Sequence, residues 1–288
     1  MRQIRPFFEQ VQAHYDLSNE FFALFLDPSM TYSCAYFERD DMTLAEAQLA
    51  KIDLTLGKCD LRPGMRLLDV GCGWSSTVRR AAQKHGVDAI GLTLSQNQYD
   101  FGSRLLEESP VTPGTVELRL QGWEEFDEPV DRIVSIGAFE HFRRERYDDF
   151  FARCRSILPS DGRMLLHTIL LHGWRRLEEL GIPVKQEQIL FGKFMARFIF
   201  PGGQLCDEPT VIQHAERAGF RVEGTQSLQS HYARTLDCWA VNLEARREDA
   251  IAMSGQEVYD RYMHYLTGCA DLFRSGHTDV MQFALAAR

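Results

Sequence analysis

The segment Leu67-Leu-Asp-Val-Gly-Cys-Gly-Trp-Ser-Ser spaces two glycines, Gly71 and Gly73, where an apolar strand gives way to a helix. Glycine permits the tight turn and the close backbone approach that a ligand at a strand end requires. Two features tell against a dinucleotide. The third glycine of a G-x-G-x-x-G loop is replaced by Ser76, and the second strand, Ile90-Gly-Leu-Thr-Leu-Ser, closes on hydroxyls instead of a carboxylate. With Asp69 just ahead, the loop fits the amino-acid end of S-adenosylmethionine. Thr93-Leu-Ser-Gln-Asn-Gln98 offers hydroxyl and amide groups for a ribose. Gln121-Gly-Trp-Glu offers the Trp123 face and the Glu124 carboxylate for an adenine. Trp123 as core and Ser95 as a plain helix cap remain open alternatives.

These segments need a scaffold that brings strand ends together. From Met65 onward, short apolar runs alternate with amphipathic stretches. Strands are expected at Arg66–Gly71, Val87–Leu92, Val116–Gln121, Arg132–Ile136 and Arg163–Leu170. Helices are expected at Thr77–His85, Ser95–Glu107 and Tyr147–Leu158. Such alternation predicts a doubly wound α/β fold, a largely parallel sheet covered on both faces. Residues 7–60 read as helical, with Ser18 capping an apolar cluster and Thr43-Leu-Ala-Glu in capping-box form. Residues 172–217 read as a helical insertion, a lid. Phe220–Leu228 and a strand near Met281–Ala286 return to the sheet, and Ala233–Asn242 and Gln256–Leu266 read as helices. No repeat or linker divides the chain, so one domain spans residues 1–288.

The chain has 41 acidic and 32 basic side chains, a formal charge of −9, and 44% apolar residues. That is an ordinary globular composition, and the acidic balance disfavours nucleic acid as a ligand. The apolar runs fall short of the ~20 residues needed to span a bilayer, and the first residues lack a secretory pattern. Seven cysteines without a C-x-x-C pair predict reduced thiols and no metal site in a cytoplasmic protein.

Further motifs carry a resemblance. Val11-Gln-Ala-His-Tyr-Asp-Leu-Ser, Thr31-Tyr-Ser-Cys-Ala-Tyr-Phe-Glu, Leu68-Asp-Val-Gly-Cys-Gly-Trp and Gly91-Leu-Thr-Leu-Ser appear in that order. Gln121-Gly-Trp-Glu, Ser135-Ile-Gly-Ala-Phe-Glu-His-Phe, Phe200-Pro-Gly-Gly, His231-Tyr-Ala-Arg-Thr-Leu and Tyr262-Met-His-Tyr-Leu-Thr-Gly-Cys follow. Together they resemble the mycolic acid cyclopropane synthases and methyltransferases, a branch of the cyclopropane fatty-acid synthase superfamily, over about Pro6 to Phe283. The resemblance implies a class I S-adenosylmethionine-dependent methyltransferase fold with a seven-stranded, mostly parallel sheet. It also implies transfer of a methyl group to the double bond of a long meromycolyl-type acyl chain, carried on an acyl carrier protein.

By the same resemblance, a bicarbonate ion serves as base, held by the side chains of Glu140, His167 and Tyr232 and by backbone near Cys34 and Cys269. Cofactor contacts map onto Tyr32, Ser33, Gly71, Gly73, Thr93, Leu94, Gln98, Trp123, Glu124 and Ile136, with Tyr15 a further aromatic of the site. Attack by an alkene leaves a carbocation, for which Tyr15, Tyr32, Phe139, Phe142 and Tyr232 are candidate stabilising faces. Phe191, Phe194, Met195 and Phe198 share a helical face that either packs in the core or walls an acyl tunnel. Arg143, Arg144 and Arg146 are candidates for docking an acidic carrier. Ser75 stands where family members usually carry glycine, a position at which serine is less able to adopt positive φ. Alternatives are a sibling that makes a methyl-branched or hydroxymethyl product, or a lipid- and cofactor-binding homologue without catalysis.

Overall fold

The computed structural model describes Pro6 and residues 17–288. Tyr15, with His14 beside it, lies outside the described residues. Seven strands form one sheet in the order β3-β2-β1-β4-β5-β7-β6. They are β1 (Arg66–Val70), β2 (Asp88–Thr93), β3 (Thr115–Leu120), β4 (Arg132–Ile136), β5 (Arg163–Leu171), β6 (Phe220–Ser227) and β7 (Thr278–Ala287). Neighbours from β3 to β5 run parallel, and β7 is inserted antiparallel between β5 and β6. The mostly parallel α/β architecture is therefore the expected one. β5 and β7 are covered on both faces and read as nearly continuous buried runs. The edge strand β6 alternates in exposure and carries charge, as an edge should.

Helices α1 (Asn19–Ala23), α2 (Leu44–Gly57), α3 (Ser76–His85), α4 (Gln96–Glu108) and α5 (Tyr147–Ile157) come first. After β5 follow α6 (Trp174–Glu179), α7 (Gln186–Phe194) and α8 (Glu208–Arg217), then α9 (Gln229–Ala245), α10 (Arg247–Ser254) and α11 (Gln256–Arg274). Local chemistry starts several of them. The Ser18 hydroxyl accepts from the Phe21 amide, Thr43 and Glu46 close the expected capping box, and Ser95 accepts from the Gln98 amide. Asp207 caps α8 ahead of Pro209. Phe21, Phe22 and Phe25 of the α1 region are fully buried and meet Tyr262 of α11 edge-on, at 5.0 Å between the Phe21 and Tyr262 rings.

Several boundaries differ from expectation. Of residues 7–60, expected to be helical, 24–43 form no helix, because Pro28 and the hydrogen bonds from the Ser29 and Thr31 amides to Asp27 turn the chain. α9 starts four residues before Ala233 and ends three after Asn242. α10 was not anticipated, because Arg247-Glu-Asp-Ala-Ile-Ala-Met-Ser has little amphipathic signal. α11 continues eight residues past Leu266, through Gly268. A Cβ at Gly268 would sit 2.2 Å from the Phe191 ring, so this glycine gives α7 its seat. β7 begins three residues before Met281, where polar Thr278 and Asp279 pair with Leu171 and Leu170.

Between β1 and α3 the loop turns as its glycines allow. Gly71 and Gly73 have φ of +86° and +55°, and a Cβ at Gly71 would come within 2.4 Å of the Ala138 Cβ. Ser75 also adopts a left-handed conformation, φ +75°, is fully buried, and makes no cap hydrogen bond. Its hydroxyl has no partner, so the serine does not act as a cap. A left-handed non-glycine residue costs roughly 1–2 kcal/mol, partly offset by the ~0.4–1 kcal/mol of chain entropy that glycine adds to the unfolded state. Ser75→Gly is therefore expected to stabilise the protein by about 1 kcal/mol. Denaturant unfolding checks it: an unchanged or lower midpoint contradicts the strain.

Candidate active site

Strand order reverses between β1 and β4, and a crevice opens at such a switch point beyond the strand carboxyl ends. One cleft lies there. It is lined by Asp69, Gly71 and Gly73 from β1 and its loop, by Thr93, Leu94 and Gln98 after β2, and by Trp123, Ile136, Tyr32 and Ser33. Ten of the twelve residues expected around the cofactor thus converge on one wall. Thr93 Oγ1 and Gln98 Oε1 are 2.7 Å apart, and Ser95 is used as a cap. Trp123 both lines the cleft and packs on Phe142 and Phe150. Glu124 is not on the cleft wall. One of its oxygens accepts from Arg146 at 2.9 Å, and the other, buried and without a partner, lies against Gly122.

A second, apolar cavity of about 680 Å³ lies beside the first, within the size range of small-molecule sites. Glu140, His167, Tyr232, Cys34 and Cys269 all line it. The two cavities share Tyr32, Ser33, Gly137 and His141, so they meet at these four residues. Trp174, Leu177, Phe191 and Met195, from the stretch after β5, form the outer wall. Of the expected tunnel face, Phe194 and Phe198 turn away and meet each other at a tilt, with ring centroids 5.7 Å apart, because α7 gives way to a π-turn at Met195–Ile199. Phe139 is buried against Tyr147, and Phe142 lines only the first cleft. Tyr265, Phe200 and Phe273 take their place on the apolar wall.

Glu140 sits in a short turn after β4, and His167 in β5 beside Ile136. The Ile169 amide donates to Glu140 Oε1 at 2.7 Å, while Oε2 has no partner. Burial raises the Glu140 pKa, and the Ile169 hydrogen bond opposes the rise. His167 Nδ1 lies 3.3 Å from the Gln282 amide nitrogen, and Nε2 has no partner. Burial, reinforced by Lys51 and Lys58, holds its pKa well below the ordinary imidazole value. Tyr232 is buried, which raises its pKa, with Cys34, Tyr32, Glu140 and Cys269 among the groups acting on it. The Cys34 and Cys269 thiols are pushed up by burial, so neither is a thiolate nucleophile.

Four residues at or beside the site were not singled out in the sequence. Lys51 is fully buried and donates to Ser33 Oγ at 2.8 Å, and Gln48 donates to the Thr31 and Ser33 carbonyls. The signal was there: Gln48, Lys51 and Thr55 follow helical spacing on the buried face of α2. His141, at the junction, has its pKa lowered to about 4 by burial. Tyr265 accepts a hydrogen bond from the Tyr32 hydroxyl at 3.0 Å. Among the expected docking arginines, Arg146 is engaged by Glu124 and Arg144 donates to the Leu205 carbonyl, so the trio is not a free basic patch.

The sheet order, the glycine turn at the end of β1 and the cleft at the switch point define the fold of the class I S-adenosylmethionine-dependent methyltransferases. Within that class the chain belongs to one family: residues 2–283 match the model of the mycolic acid cyclopropane synthetases. It is 59% identical over 283 residues to cyclopropane mycolic acid synthase 3 of Mycobacterium tuberculosis, covering 98% of each chain. It is 54% identical to the S-adenosylmethionine-dependent methyltransferase UmaA of the same organism, covering 99% of each. Its structure is similar to that of mycolic acid cyclopropane synthase CmaA1 complexed with SAH and CTAB, with a TM-score of 0.95, 56% identity, and 98% of this chain and 99% of that one covered. No described helix is long and apolar enough to cross a membrane.

Asp69 gives this site a measurable pH signature. It is buried, Oδ1 has no partner, and burial raises its pKa to about 7, with Lys51 opposing. The folded state therefore binds more protons than the unfolded one between about pH 4 and 7, and this contribution to stability is lost as pH rises through that window. Urea unfolding of wild type and Asp69→Asn should show the difference, on the order of 1 kcal/mol per pH unit. Parallel pH profiles would contradict the raised carboxyl.

Proposed function

We propose that the protein transfers a one-carbon unit from S-adenosylmethionine to a double bond of a long meromycolyl-type acyl chain and closes a cyclopropane ring. The observation that carries this is the pair of partnerless buried atoms, Glu140 Oε2 and His167 Nε2, on the wall of an apolar cavity that opens into the cofactor cleft. The cleft fits the cofactor: Asp69 Oδ1 is a bare acceptor for an ammonium group, and Gly71 keeps the backbone clear. Tyr32, Ser33, Gly73, Thr93, Leu94, Gln98, Trp123 and Ile136 would hold the rest, with Glu124 beside Gly122. When bound, the cofactor supplies an electrophilic methyl group.

The chain's own residues then have three tasks. The junction must hold alkene and methyl in line, an orientation effect that contributes roughly 7–11 kcal/mol of a barrier. The faces of Tyr32, Tyr232, Tyr265 and Phe200 must steady positive charge on the acyl chain in a dry cavity. Glu140, His167 and Tyr232 would hold a small oxyanion, which would supply the base for proton removal from the new methyl and ring closure. A bicarbonate ion, keeping its proton shared with Glu140, fits that set and supplies the base. Its binding leaves His167 neutral and donating. Backbone beside Cys34 and Cys269 completes the enclosure.

The chain acts as one domain whose 172–217 insertion walls the acyl site. A cytoplasmic acyl carrier protein presents the substrate on the side of Trp174, which lines the cavity and is exposed, beside Arg175 and Arg176, whose side chains stay largely exposed though both pair with Glu179.

Two experiments test the reading. Lipids from cells expressing the protein and fed trideuteromethyl methionine should gain one methylene that retains two deuteria, with loss of the olefinic signal. Three retained deuteria, with an alkene or an added hydroxyl, would instead mean a branched or hydroxymethyl product. Glu140→Gln should lower turnover by roughly 10²-fold while leaving SAH affinity within a factor of about two. Full activity in this variant would overturn the role given to Glu140.

A further inference from the structure

Beneath the catalytic wall, three side chains stand opposite one another across β5, β7 and β6: His167, Gln282 and Gln226. Lys58, at the end of α2, donates to Gln282 Oε1 at 2.6 Å and also to Gln226 Oε1. An ammonium group has no lone pair to offer, so the amide oxygen of Gln282 must face Lys58 and its nitrogen must face away. Thr55 imposes the same orientation. Its hydroxyl proton goes to the Lys51 carbonyl at 2.9 Å, which leaves Oγ1 to accept from Gln282 Nε2 at 3.0 Å.

The other amide N–H of Gln282 then faces His167 Nδ1 at 3.3 Å. Nδ1 must accept, so a neutral imidazole carries its proton on Nε2. That is the atom left without a protein partner, on a residue that lines the acyl cavity. The opposite tautomer would set an imidazole lone pair against an oxyanion. Gln282 does not line the cavity, and neither does Lys58.

We propose that Lys58 and Gln282 are positioning residues that hold His167 in the Nε2–H tautomer, so that it presents a donor to the oxyanion. This rests on reading Glu140 and His167 as an oxyanion site.

The test is ¹⁵N NMR of the histidine-labelled full-length protein near neutral pH, with His167 assigned by its loss in His167→Asn. The wild type should show one protonated nitrogen, Nε2, and one bare nitrogen, Nδ1. Gln282→Leu and Lys58→Met should each mix the tautomers and lower turnover roughly 10–100-fold, the scale of outer partners of metal-bound histidines, with SAH affinity unchanged. A wild-type proton on Nδ1, or on both nitrogens, overturns the proposal without recourse to any variant. So does a variant that loses activity but keeps a pure Nε2–H tautomer, because its role is then merely structural. Added bicarbonate separates the two claims: an unmoved His167 signal with the tautomer confirmed removes the oxyanion reading and leaves the positioning intact.

Discussion

A buried polar atom without a partner costs about 1–3 kcal/mol, and this protein keeps two of them, Glu140 Oε2 and His167 Nε2, on one apolar wall. The remaining polar atoms of both side chains are satisfied, Glu140 Oε1 by the Ile169 amide and His167 Nδ1 by Gln282. The surroundings are arranged around that requirement. β7 enters antiparallel between β5 and β6, and so brings Gln282 beside His167. α2 places Thr55 and Lys58 over the same row and, one and two turns earlier, Lys51 and Gln48 under the Thr31–Ser33 segment. One helix therefore braces both the histidine and the loop where the cavities meet.

The sheet order explains why there are two cavities. Reversal between β1 and β4 opens the first cleft at the strand ends, where the backbone glycines turn. The second cavity exists because the stretch after β5 leaves the sheet, and α6, α7 and the π-turn lean over β5, β7 and α11. Gly268 makes that lean possible by admitting the Phe191 ring. Polar groups line the junction and the Glu140–His167 wall, with others such as His172, Asp207 and His277 elsewhere on the lining, while Phe191, Phe200 and Phe273 make much of the cavity apolar. A cation of the kind proposed would there meet aromatic faces in place of water.

The parallel core of this fold was readable because its strands are apolar, short and separated by amphipathic helices, one of them started by Ser95, while Ser18 and Thr43 mark the helix starts ahead of the sheet. The start of β7 was hidden because Thr278 and Asp279 are polar yet buried, and that burial depends on β5, more than a hundred residues away. Phe139 and Phe142 were equally suitable aromatics in sequence, and only the turn after β4 buries Phe139 against Tyr147 and leaves Phe142 on the first cleft. Lys51 was passed over because a lysine on a helix is usually solvated. Here its Nζ is used inward, on Ser33 Oγ, and burial lowers its pKa to about 8. Ser75 was recognisable as a departure from glycine, but its left-handed φ and idle hydroxyl belong to the folded loop.

On the proposed reading, the cofactor and the base occupy different cavities and face each other across Tyr32, Ser33, Gly137 and His141. A crystal structure with SAH and bicarbonate tests it most directly. The account predicts SAH in the cleft at the ends of β1, β2 and β4. It also predicts a planar anion in the apolar cavity, hydrogen-bonded to Glu140 Oε2 and His167 Nε2. An apolar cavity holding no anion, with Glu140 and His167 bonded to each other or to the SAH carboxylate, would contradict it.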